Sequence, residues 1–182
     1  MPAILYVLLA AAWVSWMAPF LLLRPKSVQP VRLDRRARWG MVLEGVAYWL
    51  CWASAFWKHA PEPWRIAAAI PVFAAGVWLA WTAVRTLGSK WRMDAGLNAD
   101  HELVVSGPYR FIRHPIYASM LCMLLGTGLA LTPLYLLVIA VALFIAGTEI
   151  RVRVEDSLLA SRFPDQFREY RAHVAAYIPF VR

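Results

Sequence analysis

Apolar stretches of membrane-spanning length alternate with short polar stretches along the first half of this chain. The first runs from about Pro2 to Leu23, the second from about Trp39 to Trp57, and the third from about Trp64 to Leu87. An α-helix needs ~20 mostly apolar residues to cross the hydrocarbon core of a bilayer. The pattern therefore predicts three membrane-spanning helices.

Two shorter apolar segments follow, about Pro115 to Leu131 and about Leu134 to Gly147, joined by Thr132-Pro133. A connection this short forces an antiparallel helical hairpin. From Thr148 to Phe163 the chain turns charged without a Gly or Pro break, so the fifth helix should continue beyond the membrane. The pattern predicts an all-α membrane protein with about five transmembrane helices, the last two forming a tight hairpin.

Composition supports lipid as the main solvent. Hydrophobic residues make up 61% of the chain and the mean hydropathy is +0.53, against roughly 45–50% apolar residues in an average soluble domain. The net charge is +8, but Lys and Arg lie between apolar segments rather than along one soluble face. Anionic lipid headgroups are therefore the expected partner, and nucleic acid is not.

Basic residues also predict the topology. They cluster from Arg24 to Arg38, from Ser89 to His114 and in the tail after Gly147, and basic loops stay on the cytoplasmic side. We therefore expect an integral protein of a bacterial inner membrane, with its N-terminus outside and its C-terminus in the cytoplasm.

No metal site is expected. Cys51 and Cys122 lie inside apolar stretches without CxxC spacing, and His59 and His173 have no neighbouring ligands. Packing or solvated roles suit all four residues better.

The polar stretch from Ser89 to His114 is too long for a simple connection between helices, which usually takes ~2–8 residues. Gly107-Pro108 predicts a turn, and Pro115 suits the first position of a helix. Arg110, Arg113 and His114 gather at that helix N-terminus, where an anionic group would meet positive charge and unpaired N–H donors. Local physics leaves two interpretations open, an anion-binding site and a basic loop that grips lipid phosphates.

A second charged cluster, Glu149 to Asp156, lies where the fifth helix leaves the membrane. Glu149 and Arg153 have the spacing of a surface pair worth only ~0.2–0.5 kcal/mol. Charged residues at this depth are costly unless they face a polar cavity. Because the hairpin arms are antiparallel, Pro115 and Glu149 should lie at the same depth, and the two charged clusters should face each other.

The motif spanning these clusters resembles a known family. It reads Leu103-Val104-x-x-Gly107-Pro108-Tyr109-Arg110-x-x-Arg113-His114-Pro115-x-Tyr117, preceded by Thr86-Leu87-Gly88-x-x-Trp91 and followed by Glu155-Asp156, Phe163, Phe167, Tyr170 and Ile178-Pro179. It resembles the isoprenylcysteine carboxyl methyltransferases and, more widely, the membrane methyltransferases that include phospholipid N-methyltransferases. The resemblance covers roughly residues 85 to 180.

The resemblance implies an enzyme that uses S-adenosylmethionine, bound in a cytoplasmic pocket capped by the linker and the C-terminal segment. A lipophilic small molecule or lipid would enter from the bilayer as methyl acceptor. Residues 1–87 would form three N-terminal helices and residues 88–182 the methyltransferase core. The expected cofactor-binding residues are His101, Leu103, Val104, Gly107, Tyr109, His114, Tyr117, Glu155 and Asp156.

The resemblance also implies catalytic roles. A prenylcysteine-like carboxylate is the favoured acceptor, and an arginine fork suits a carboxylate. We expect Arg113 to position it, with Arg110 and Arg151 as further candidates. An amine acceptor would need a proton removed, and Glu155 is then the candidate base. Asp156 stands where the family commonly has Glu.

Three alternatives to the carboxylate acceptor stay open. A phospholipid N-methyltransferase and a small-thiol S-methyltransferase are the enzymatic ones. The third is a non-enzymatic, lipid-binding membrane scaffold.

Overall fold

The computed structural model of the chain describes residues 3–23, 36–53, 62–88 and 103–178. This part of the chain forms six α-helices and one 3₁₀ turn. They are α1 (Ala3–Leu22), α2 (Ala37–Ala53), α3 (Pro63–Leu87), the 3₁₀ turn (Gly107–Arg110), α4 (Pro115–Leu131), α5 (Leu134–Arg162) and α6 (Pro164–His173). An isolated parallel β-bridge joins Ile112 and Ala175.

The all-helical fold predicted from the apolar pattern is confirmed. Helices α1, α3 and α5 are long and apolar enough to cross a membrane, and α4 is a shorter apolar helix. The tight hairpin is present, since α4 ends at Leu131 and α5 begins at Leu134. As expected, α5 continues past Gly147 without a break, to Arg162. The predicted second span reached Trp57, which lies outside the described residues.

Two helix pairs build the bundle, α3 against α4 and α2 against α5. Glycines set the second pair close together. A Cβ on Gly40 would lie 2.5 Å from the carbonyl oxygen of Gly147, and a Cβ on Gly147 would lie 2.6 Å from the carbonyl oxygen of Gly40. Real Cβ atoms do not approach other atoms so closely, so α2 and α5 touch backbone to backbone at this point.

Helix α1 completes the bundle by packing on α3 and α4. Trp13 donates to the hydroxyl of Thr127 at 3.2 Å, and Trp16 donates to the hydroxyl of Ser119 at 3.1 Å. The indole N–H groups thus find partners inside an apolar interface, where an unpaired donor would be costly. The outer faces carry large exposed apolar side chains, as lipid-facing surfaces do, including Trp49, Trp78 and Val138.

The bundle has two chemically different ends. At the turn end, which contains Thr132, the Thr132 hydroxyl donates to the carbonyl of Cys51 at 3.2 Å, and Arg65 donates to the carbonyls of Gly128 and Thr132. These bonds satisfy backbone groups left over at helix ends. The other end, called the site end below, contains the start of α4 and the charged part of α5.

Candidate functional site

The two charged clusters meet at the site end. Arg113 and His114 directly precede α4, and Glu155 and Asp156 lie in the last third of α5. The Nη2 atom of Arg113 lies 3.2 Å from Oδ2 of Asp156. The expectation that the hairpin brings the clusters face to face is confirmed.

Asp156 is the buried member of the acidic pair, with a side chain only 5% exposed. Its Oδ2 accepts from Arg113, and its Oδ1 lies 2.9 Å from Nε2 of His114. Both oxygens are therefore used inside the protein. Asp156 holds two residues of the Arg113-His114-Pro115 motif in place.

Glu155 is the more exposed member, with 27% of its side chain accessible. Its Oε2 lies 3.2 Å from Nδ1 of His114, and its Oε1 accepts a hydrogen bond from the hydroxyl of Tyr117. A carboxylate oxygen can accept more than one hydrogen bond. Glu155 is thus oriented from inside while one face stays available to a ligand.

His114 bridges the two acids with both ring nitrogens. Burial lowers the pKa of His114, but hydrogen bonds from the ring to Asp156 and Glu155 outweigh it and raise the pKa to about 8. Both nitrogens carry a proton only in the imidazolium form. With that form present, Arg113 and His114 together balance the two carboxylates.

The C-terminal segment after α6 is attached to the same motif through its backbone. The N–H groups of Arg113 and His114 donate to the carbonyls of Ala175 and Ala176, both at 2.8 Å. The Nη1 atom of Arg113 donates to the carbonyl of Val174. These bonds fix the segment against the start of α4, on the flank of the acidic pair.

The 3₁₀ turn is attached to both α3 and α6. Gly107 has a φ of 58°, in the left-handed region that favours glycine, and a Cβ there would lie 2.6 Å from Oγ1 of Thr86. The hydroxyl of Tyr170 donates to the carbonyl of Tyr109. Tyr109 itself is buried, and burial raises the pKa of its hydroxyl well above the usual value.

Arg151 is placed by helix α2. Its Nη1 lies 2.7 Å from Oε2 of Glu44, whose Oε1 accepts from the hydroxyl of Thr148 at 2.9 Å. The guanidinium carbon of Arg151 lies 4.7 Å from the centre of the Tyr117 ring, within the range of a cation–π contact. Because Tyr117 donates to Glu155, the contacts run without a gap from α2 to the acidic pair.

Most of the predicted site residues gather here, and a few do not. Gly107 and Tyr109 belong to the 3₁₀ turn, and Leu103 and Val104 are half-buried without regular secondary structure. Arg110 is exposed, with its guanidinium carbon 6.0 Å from the centre of the Phe111 ring. His101 lies outside the described residues.

Arg113 and His114 are bonded to groups of the protein itself, which differs from what we expected of them. We expected the Arg113 fork to be open to an acceptor, but its side chain is 1% exposed and is bonded to Asp156 and Val174. We expected His114 to bind the donor, but both of its ring nitrogens face the two acids. In both cases a buried charge has found a partner within the protein, as its desolvation demands.

Two residues of this contact network, Glu44 and Thr148, were not predicted from the sequence. A signal existed for Glu44, because an acid inside an apolar segment is costly unless it is paired. Its partner lies 107 residues away in the sequence, so spacing could not identify it.

Comparison with known proteins extends this description. The sequence model of the family described as phospholipid methyltransferase matches residues 64–166, which is more than half of the chain. A protein-S-isoprenylcysteine O-methyltransferase of Tribolium castaneum is 33% identical over 55% of this chain and 36% of its own length. The nickel-cobalt-cadmium resistance protein NccN of Alcaligenes xylosoxydans is 29% identical over 86% of this chain and 73% of its own.

A solved structure has a similar fold. The eukaryotic intramembrane Ras methyltransferase, an isoprenylcysteine carboxyl methyltransferase, superimposes with a TM-score of 0.61 and 26% identity. The match covers 78% of this chain and 52% of that protein. The chain thus spans about half the length of that enzyme and about a third of the Tribolium relative. These matches confirm the resemblance drawn from the motif.

Proposed function

Because this chain belongs to the phospholipid methyltransferase family, we propose that it is an integral membrane methyltransferase that uses S-adenosylmethionine. The acceptor is lipophilic and enters from the bilayer. The observation that carries the proposal is the paired carboxylate cluster at the site end: Glu155 keeps an accessible face, His114 and Tyr117 bond it from inside, and Asp156 holds His114 in place.

The residues present fit such a donor, because its sulfonium and amino groups are cationic and Glu155 is an oriented, partly exposed carboxylate. When bound, the donor supplies an already activated methyl group. Tyr117 fixes one oxygen of Glu155, and protonated His114 fixes the other. The backbone of Leu103 and Val104 would contact the purine edge.

A prenylcysteine-like carboxylate is the acceptor we propose first, since relatives of this chain are named protein-S-isoprenylcysteine O-methyltransferases. A carboxylate needs no general base, so the protein has only to orient it and exclude water. Arg113 and Arg151 are engaged with Asp156 and Glu44. Among the three candidate arginines, Arg110 is the exposed one, and no ion pair of Arg110 is found in the described part of the chain. We therefore place Arg110 first for the acceptor carboxylate.

A phospholipid amine is the second candidate, favoured by the description of the matching family. An amine must lose a proton around methyl transfer, and Glu155 is the partly exposed carboxylate of the site. This reaction would take place at the same site, with Glu155 acting as the base.

Donor binding is the first test. Full-length protein purified in detergent is titrated with S-adenosylhomocysteine in a calorimeter, alongside Glu155→Gln and the control Glu149→Gln. Glu149 pairs with Arg153 on the outer face of α5, at 3.0 Å, so its carboxylate lies apart from the acidic pair. We expect wild type and Glu149→Gln to bind, and Glu155→Gln to bind at least about tenfold more weakly. Absence of binding by the wild type would favour the lipid-binding scaffold.

Product analysis then separates the acceptors. Membranes are incubated with methyl-labelled donor and either an S-prenylated N-acetylcysteine or phosphatidylethanolamine, and the products are resolved by thin-layer chromatography. Label released by mild alkali identifies a methyl ester, whereas N-methyl groups resist alkali. Label in the phospholipid alone would contradict the prenylcysteine proposal.

A further inference from the structure

Glu44 is a buried carboxylate on α2, a helix that lies outside the segment matched by the family. Its side chain is 4% exposed, and each oxygen has a partner on α5, Thr148 for Oε1 and Arg151 for Oε2. Both bonds lie within normal hydrogen-bonding distance, at 2.9 and 2.7 Å. An acid at such a position is costly to desolvate, and the bonds to Arg151 and Thr148 offset that cost.

The backbone of α2 near Glu44 leaves room for the side chain of Arg151. Gly40 lies one helical turn before Glu44, and a Cβ on Gly40 would lie 2.5 Å from Cγ of Arg151. The stem of Arg151 therefore runs through the space that any other residue at position 40 would fill. The glycine contact between α2 and α5 and the Glu44 ion pair are two independent features that fix the same side chain.

Arg151 connects Glu44 to the acidic pair, Glu155 and Asp156, through Tyr117. Its guanidinium stacks on Tyr117, which donates its hydroxyl to Glu155. A cation over a ring face is held by the ring quadrupole. The orientation of the Tyr117 hydroxyl thus depends on where Arg151 is held, and Arg151 is held by Glu44.

We propose that Glu44 is a positioning residue for the donor site: it holds Arg151 over the ring of Tyr117 and so keeps the Tyr117 hydroxyl directed at Glu155. This inference rests on the proposed function, because it assigns Glu155 to the donor. The proposal means that helix α2, which carries Glu44, contributes to donor binding. Glu44 itself makes no contact with the donor.

A double-mutant cycle tests whether Glu44 acts through Arg151. Full-length wild type, Glu44→Gln, Arg151→Met and the double variant are purified in detergent, and S-adenosylhomocysteine affinity is measured by calorimetry on the monodisperse fraction. We expect each single variant to bind about tenfold more weakly. The double variant should bind like Arg151→Met within about twofold, since Glu44 has no route to Tyr117 once Arg151 is gone.

A purely structural ion pair gives a different pattern. Removing both charges together would then restore wild-type affinity as well as wild-type thermal stability. That restoration would overturn the proposal, and so would wild-type affinity of Glu44→Gln. If Glu44→Gln does not fold, Glu44→Asp takes its place: the shortened carboxylate cannot hold Arg151 in the same position, so weaker donor affinity is expected, and wild-type affinity would overturn the proposal.

Kinetics supply a second measurement. With Glu44→Gln, the KM for the donor should rise with the dissociation constant, while the KM for the acceptor stays within about twofold. The control Glu149→Gln removes a carboxylate from the outer face of α5 and should leave both constants unchanged. If the wild type itself fails to bind donor, the proposed function fails; if the wild type binds and Glu44→Gln binds equally well, only the role of Glu44 fails.

Discussion

Arg113→Ala should destabilise the protein rather than merely slow its turnover. The side chain is 1% exposed, and it joins α5 to the C-terminal segment through Asp156 and the carbonyl of Val174. Removing one partner of a buried ion pair typically costs about 3–5 kcal/mol, because the other charge is left unpaired. Asp156 keeps a bond to His114, so the lower part of that range is expected.

Thermal unfolding in detergent measures this cost. For a chain of 150–250 residues, about 1 kcal/mol corresponds to a shift of about 2–4 °C, so a loss of about 3 kcal/mol should make Arg113→Ala unfold about 6–12 °C lower than the wild type. Arg153→Ala is the matched control, because Arg153 is 70% exposed and its pair with Glu149 spans one turn of α5. Such surface pairs contribute only about 0.3–0.5 kcal/mol.

Arg113→Lys separates charge from geometry. A lysine keeps the positive charge near Asp156 but cannot also form the fork that reaches Val174, so an intermediate shift is expected. If Arg113→Ala shifted the transition no more than Arg153→Ala, the buried pair would not be holding the segment. The role first expected for Arg113, contact with the acceptor carboxylate, would then be the better explanation of its place in the motif.

Four further predictions concern the site end and the topology. The pKa of His114 is about 8 in the folded protein, against an ordinary value of 6.5. Protonated His114 therefore contributes about 2 kcal/mol to the free energy of unfolding, in full below pH 6.5, and this contribution is lost as the pH rises through 8. Unfolding experiments across that pH range should show the loss. Glu155→Ala should weaken both donor binding and turnover, by at least about tenfold each, in calorimetry and steady-state kinetics. Gly40→Ala should lower stability by about 1–3 kcal/mol, measured by thermal unfolding, because its Cβ would overlap Gly147 and Arg151. With the native cysteines replaced, a cysteine in place of Glu62 should react with an impermeant reagent outside intact cells, and one in place of Ala172 should not.

Each of these has an outcome that would contradict it. His114→Gln should flatten the pH dependence, and an unchanged slope would assign it to another group. Gly45→Ala is the control for Gly40→Ala, since a Cβ at Gly45 meets nothing within 4 Å, and equal losses from both would exclude the close helix contact as the cause. Labelling of position 172 from outside would reverse the topology, and full donor affinity in Glu155→Ala would move the donor site elsewhere.

The sequence by itself determined the helices and the hairpin. Apolar length predicted α4 from Pro115 to Leu131 and the start of α5 at Leu134, as observed, because backbone groups in lipid must be satisfied within the helix. The two-residue connection then left one arrangement for the arms. From that arrangement alone, Pro115 and Glu149 could be placed at one depth, and the charged clusters beside them could be expected to face each other.

Only the tertiary structure decided which charges neutralise which. Arg113 could have reached a ligand, yet it bonds Asp156 and Val174, 43 and 61 residues away in the sequence. Glu44 could have faced any neighbouring helix, yet it meets Arg151 because Gly40 and Gly147 let α2 and α5 touch. Sequence spacing predicts which residues are neighbours on one helix. The partner of a buried charge instead depends on how helices distant in the sequence pack. Because desolvation is costly, each buried charge pairs with a complementary group that this packing brings near.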